Sequence, residues 1–119
     1  MKLRSICKSK IHRATVTEAN VDYIGSIGVD ESLMKLAGIV SNEQVAVWNV
    51  TTGARISTYV IPMPEGSGQI TLNGAAARHF KPGDLAIIVA FYYTDEPVEP
   101  QMILVDEKNR FVKYLNAGQ

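Results

Sequence analysis

The seven residues Leu85-Ala-Ile-Ile-Val-Ala-Phe91 leave the chain few folds to choose from. The run is apolar throughout and far shorter than the ~20 residues a membrane span needs. It predicts a strand buried on both faces, which requires hydrogen-bonded neighbours on its edges and cover on both sides. Lys81-Pro-Gly-Asp84 is a turn that delivers the chain into it.

The other segments supply those neighbours. Residues 11–18 alternate in polarity and carry β-branched side chains, predicting a first strand. Tyr23 to Asp30 reads as a second, buried strand interrupted by a Gly-Ser step. Asp30 can cap a short helix over 31–37, with Glu31 in its first turn and Gly38 just past its end. Residues 43–49 and 55–61 flank the turn Thr51-Thr-Gly-Ala54 as a hairpin. Pro62 to Gly68 is a loop, and 69–72 a short strand running into Asn73-Gly-Ala-Ala-Ala-Arg-His-Phe80. Asn73 stands at a capping position there, so a second short helix is expected. Thr94 to Pro100 is an exposed connection, and 102–106 with 111–115 form a last hairpin. The expected fold is mainly β, a small barrel with short helices, with residues 1–119 as one domain. Propensity leaves the strand order open.

Twelve Lys and Arg balance twelve Asp and Glu, so the chain carries no electrostatic footprint for nucleic acid or an anionic membrane. Neutrality also removes a brake on self-association. Cys7 is the only cysteine and the histidines are His12 and His79, which argues against a disulfide, a thiolate cluster or any metal site. The start lacks a signal-peptide pattern, and a reduced, cytoplasmic protein is expected.

The Gly25–Ser26 step carries the chemistry. Gly25 has no Cβ and lets a hydroxyl approach its carbonyl closely. Ser26 supplies that hydroxyl one residue on, where attack closes a five-membered ring. The resulting ester can eliminate to dehydroalanine and hydrolyse to a pyruvoyl group. Read alone, such a step is usually a strand bulge or a close-packing site.

Seven stretches together give the resemblance. They are Lys10-Ile-His-Arg13, Tyr23-Ile-Gly-Ser26, Ala46-Val-Trp-Asn-Val50, Thr52-Gly-Ala-Arg55, Ser57-Thr-Tyr59, Asn73-Gly-Ala-Ala-Ala77 and Pro82-Gly-Asp-Leu85. In this order and spacing they resemble the pyruvoyl-dependent aspartate 1-decarboxylases, which make β-alanine for pantothenate. The divergent parts are Cys7, the 94–101 connection and a short C-terminal tail. The resemblance implies a double-psi β-barrel and a homotetramer with active sites between subunits. It also implies a proenzyme cut between Gly25 and Ser26 into a short β chain, 1–25, and a longer α chain, 26–119. An accessory maturation factor is left open.

The same resemblance assigns roles. The pyruvoyl carbonyl from Ser26 forms a Schiff base with L-aspartate and takes up the electrons of the breaking bond. Arg55 clamps the substrate's side-chain carboxylate, with Lys10 as a second cation. Tyr59 returns a proton to carbon as general acid. Thr58 donates to the Gly25 carbonyl during cleavage and also contacts substrate. Gly74, Ala75 and Ala76 offer backbone N–H groups to an anion. Asn73 contacts the intermediate or caps its helix, while His12, Tyr23 and Trp48 line the site. Taken singly, Arg55 and Lys10 are also ordinary exposed cations, and Tyr59 a packing aromatic. Thr58 and Tyr59 are adjacent, so a regular strand points them to opposite faces. Either the backbone bends there or one of them serves a site across a subunit boundary. The alternative function is a non-cleaving β-barrel interaction module of the same fold. A DNA-binding barrel is opposed by the neutral charge.

Overall fold

The computed structural model describes residues 1–116, so the end of the C-terminal tail lies outside the described residues. Nine strands form one sheet: β1 (Arg4–Thr15), β2 (Glu18–Asn20), β3 (Ser26–Asp30), β4 (Gln44–Asn49), β5 (Arg55–Met63), β6 (Ile70–Asn73), β7 (Leu85–Thr94), β8 (Gln101–Val105) and β9 (Phe111–Leu115). A helix α1 (Glu31–Ala37) follows β3, and a 3-10 helix (Gly74–His79) follows β6.

The sheet order is β2-β6-β3-β5-β4-β7-β1-β8-β9. Only Val16 and Thr17 separate β1, paired with β7, from β2, paired with β6. At that crossing Val16 N donates to Asp84 O at 2.9 Å and Thr17 N to Ile70 O at 2.8 Å. The continuous β1–β2 segment therefore closes the sheet into a barrel, and β8 and β9 extend it on the outer edge of β1. Parallel pairs β2–β6 and β3–β5 flank the antiparallel β3–β6 pair, a crossed arrangement of the double-psi kind. Ile11, Ile27, Val47, Val60, Leu72 and Ile88, fully buried, fill the interior.

Several boundaries differ from the sequence expectation, each for a physical reason. The first strand runs from Arg4 to Thr15 rather than over 11–18, because ladder pairing with β7, from Arg4↔Thr94 onward, holds its polar first half extended. Tyr23 and Ile24 are not strand. They are exposed, at 58% and 85%, in a turn begun where Asp22 N bonds Asn20 Oδ1, and β3 starts only at Ser26. β5 continues through Pro62, where the sequence suggests a loop. The pairing with β4 ends at Gln44↔Tyr59, so Pro62 lies where β5 is open on that side and needs no donor. The 3-10 geometry replaces a capped α-helix: Asn73 makes no side-chain cap bond, and Gly74 sits at φ +67°. In β7 the burial expected of the whole run holds for Ala86 and for Ile88 to Ala90. Leu85 and Ile87 are half-buried, and Phe91 to Tyr93 are exposed, because the far end of the strand runs past the barrel interior.

Helix α1 follows the sequence closely. Asp30 caps it, and Gly38 ends it in the left-handed conformation, φ 73°. The buried Asp30 carboxylate also accepts from Ser32 Oγ at 2.7 Å, Gly66 N at 3.0 Å and Gly68 N at 2.9 Å, tying the 64–69 loop to the helix start. Burial alone would raise this carboxyl, but the bonds from Ser32, Gly68 and Gly66 outweigh it and hold the pKa below its ordinary 3.8. A group depressed on folding contributes stability above its unfolded pKa and loses it as pH falls through the folded one. Asp30→Ala is therefore expected to lower stability by about 3 kcal/mol at neutral pH. The loss shrinks as pH falls through the depressed folded pKa and the wild-type carboxyl takes up its proton. Urea denaturation at neutral and at acid pH measures this, and a loss that does not shrink with falling pH contradicts it.

Candidate active site

β3 and β6 place Ser26 directly opposite Asn73. Both are buried, and Asn73 Nδ2 donates to Ser26 Oγ at 3.1 Å. This bond fixes the hydroxyl's position and stabilises negative charge developing on its oxygen. Asn73 thus serves Ser26 and not the helix after it.

Gly74 turns the chain away from Asn73 and lies against the candidate cleavage point. A Cβ on it would fall 2.6 Å from Gly25 Cα, 2.7 Å from Gly25 N and 2.8 Å from Tyr23 O. On the other side, β3 and β5 pair in parallel with Ile27 beside Val60. Stepping that register back by two brings Gly25 level with Thr58. Gly25, Ile56, Ser57, Thr58, Ala75, Ala76 and His79 line a cleft of about 230 Å³. Of the residues expected at the cleavage centre, Gly25, Thr58, Ala75 and Ala76 line this cleft, with Ser26, Asn73 and Gly74 immediately behind it.

The expected substrate residues occupy a different surface. β5 pairs with β4 without a register shift from Trp48↔Arg55 to Gln44↔Tyr59. The backbone therefore does not bend at Thr58–Tyr59, and alternation puts Thr58 with Ile56 and Val60 while Tyr59 lies with Arg55 and Ser57. Cross-strand pairs Lys10↔Val89, Val89↔Ala46 and Ala46↔Ser57 run as one row from β1 to β5. Lys10, Trp48, Arg55 and Tyr59 thus belong to the outer face of β1-β7-β4-β5, and none of them lines the cleft. There the Arg55 guanidinium stacks on the Trp48 ring, 4.0 Å from its centroid, which holds a planar cation ready for a carboxylate. Tyr59 is 38% exposed.

His12 sits at an irregularity of β1 between Ile11 and Ala14, where Arg13 adopts φ +65°. Its buried Nδ1 has no hydrogen-bond partner among the described residues. Burial, reinforced by the nearby Lys10 and Arg13 charges, pushes its pKa below the ordinary histidine value. A neutral ring with one free nitrogen can accept or give a bond to a ligand. The Tyr23 backbone oxygen lies against Gly74.

A family model described as aspartate decarboxylase matches residues 1–112. The chain belongs to the aspartate decarboxylase family. An aspartate 1-decarboxylase of Carboxydothermus hydrogenoformans is 51% identical over 113 residues, covering 92% of this chain and 89% of its own. Another, of Caldicellulosiruptor saccharolyticus, is 52% identical over 121 residues, covering 98% of this chain and 94% of its own. Among solved structures, the rationally designed mkDPBB_sym_86 protein superposes with a TM-score of 0.48 at 15% identity, over 66% of this chain and 91% of its own. The matched span of this aspartate decarboxylase family member contains both the cleft and the outer face.

Ile56, Ser57 and His79 line the cleft without having been assigned to the site from the sequence, and the ionisable one among them is His79. It ends the 3-10 helix whose first residues were singled out, and the only signal for it is a basic pair, Arg78-His79, in the last turn. Among the described residues no group of three or more His, Cys, Asp or Glu side chains is placed to hold a metal ion.

Proposed function

We propose that this protein decarboxylates L-aspartate to β-alanine and CO2 for pantothenate synthesis, after cutting its own backbone between Gly25 and Ser26. The observation that carries the reading is the buried Ser26 hydroxyl, held by Asn73 beside a cleft that Gly25 lines. Ser26 Oγ attacks the Gly25 carbonyl carbon, the Gly25–Ser26 amide bond breaks and an ester forms. Loss of the Ser26 α-proton expels the Gly25 carboxylate and leaves dehydroalanine. Water then replaces its nitrogen with oxygen, releasing ammonia and leaving a pyruvoyl group on residues 26–119. Thr58, level with Gly25, donates to the oxyanion of the first step, an effect worth about 3 kcal/mol.

The pyruvoyl group supplies the electron sink for the breaking C–C bond. The fit of the residues to it is favourable, since Ser26 is buried and the small Ala75 and Ala76 line the cleft beside it, with Gly74 packed against Gly25. Arg55 binds the substrate's side-chain carboxylate, Lys10 adds a second cation, and the Tyr59 hydroxyl gives its proton to carbon. His12, Tyr23 and Trp48 line the enclosure and exclude water. Because Lys10, Arg55 and Tyr59 do not line the cleft of their own chain, a homotetramer in which one copy's outer face covers the next copy's cleft brings them to it. Phe91 and Tyr93, 41% and 76% exposed on the same sheet, are the apolar area such contacts would bury. The free Cys7 fits a reducing, cytoplasmic setting.

Intact mass spectrometry of the purified protein tests the maturation, with two fragments meeting between residues 25 and 26 expected. Release of CO2 from aspartate tests the activity. Arg55→Ala is expected to cleave normally and lose about a hundredfold in kcat/KM, mostly through KM. A chain that stays whole and releases no CO2 overturns the function, and unchanged kcat/KM in Arg55→Ala overturns the clamp.

A further inference from the structure

His79 belongs to two concavities. Among the described residues it is the only ionisable side chain lining the Gly25 cleft, and it also lines an adjoining groove of about 350 Å³ with Thr52, Ala54, Arg78, Phe80, Lys81 and Asp84. Arg78, His79 and Lys81 are exposed. No acidic residue occurs from Gly74 to Gly83, a local departure in a chain whose charges otherwise cancel.

The groove's one carboxylate is turned to an internal task. Asp84 is buried, and its Oδ2 accepts from Asn49 Nδ2 at 2.9 Å and Lys81 N at 2.9 Å. Those bonds, Asn49's first, hold its pKa below the ordinary value. Asn49 Nδ2 also bonds His79 O at 2.9 Å, and its Oδ1 accepts from Thr51 N and Thr52 N. The same pair of side chains thus fixes both walls of the groove, the end of the 3-10 helix and the β4–β5 turn. The Lys81 charge lies near enough to the Asp84 carboxylate to help lower its pKa, but among the described residues neither Arg78 nor Lys81 forms an ion pair, and both stand exposed on a rim that runs into the cleft at His79.

We propose that this groove is the approach route of the anionic substrate and that Arg78 and Lys81 form its recognition site for carboxylate charge. The inference rests on the decarboxylase reading and adds a selection between substrate and product. Aspartate carries two carboxylates and one ammonium, a net negative charge. β-Alanine carries one of each and is neutral overall. A positive rim raises the local concentration of the first and leaves the second unaffected, so product does not compete at the mouth.

The test is the salt dependence of binding in the mature enzyme. Exposed charges act over ~30 Å at 0.01 M salt and only ~3 Å at 1 M. For Arg78→Gln/Lys81→Gln, the KM for aspartate and the inhibition constant of succinate are expected to rise about three- to tenfold at the lower salt. At 1 M both are expected to match wild type, with kcat within about twofold throughout. Inhibition by β-alanine is expected to be insensitive to salt and to both substitutions. Parallel salt curves for variant and wild type, or a β-alanine constant that shifts like succinate's, overturn the groove while leaving the decarboxylase reading intact. A wild-type enzyme without turnover overturns the decarboxylase reading itself, and this inference with it.

Discussion

Ser26→Ala is expected to remain one unbroken chain and to release no CO2 from aspartate, the largest effect any single substitution has on this protein. The change removes the nucleophile, so no ester forms and no later step has a starting point. It also takes the acceptor from Asn73 Nδ2, a buried donor whose bond to Ser26 is 3.1 Å long. A buried donor left unpaired costs about 1–3 kcal/mol, so a lower melting temperature accompanies the loss. Ile27 and Val29, next along β3, keep their places in the core, and the variant therefore folds. Circular dichroism separates a folded, uncut chain from an unfolded one, and a denaturing gel reads the cleavage. Two fragments from folded Ser26→Ala mean that another agent cuts the chain, and self-cleavage by Ser26 is then wrong.

What could be seen in the sequence was whatever one residue or one period decides. Asp30 and Gly38 bracket α1 because a cap and a left-handed terminus each depend on a single side chain or its absence. The β4–β5 hairpin is legible for the same reason, with Thr52 and Gly53 marking its turn. The polar half of β1 is not, since Arg4 to Lys10 become a strand only through the ladder that β7 offers. Barrel closure depends on the crossing at Val16–Thr17, where three backbone bonds join it to segments more than 50 residues away along the chain.

The site divides along the same line. The Gly25–Ser26 pair is legible from adjacency, because its chemistry needs only neighbouring atoms. That Asn73 bonds Ser26 in place of capping a helix depends on the β3–β6 register, which no local pattern specifies. The adjacency of Thr58 and Tyr59 posed a question that alternation alone left with two answers. Regular β4–β5 pairing removes the bend and leaves the two residues on opposite faces. His79 was passed over because its significance comes from two concavities meeting, a property of the folded surface.

Gly74→Ala is the second large effect expected, and its origin is steric. Gly74 stands at φ +67°, where an L-residue costs about 1–2 kcal/mol. The added Cβ would also lie 2.6 Å from Gly25 Cα and 2.7 Å from Gly25 N, against about 3.5–4.0 Å for a comfortable carbon contact. Those neighbours are backbone and cannot rotate aside, so the acyl half of the cleavage point has to move by about 1 Å. A displacement of that size costs on the order of a hundredfold in an intramolecular step. Cleavage is accordingly expected to slow by about a hundredfold or more, with stability lower by about 2–4 kcal/mol. Gly53→Ala is the control, for Gly53 has φ +86° and nothing within 4 Å of an added Cβ. It suffers the backbone strain alone and is expected to mature at the wild-type rate. Time courses of fragment appearance in freshly made protein compare the two, and Gly74→Ala maturing within about threefold of Gly53→Ala would show that contact with Gly25 does not govern the cut.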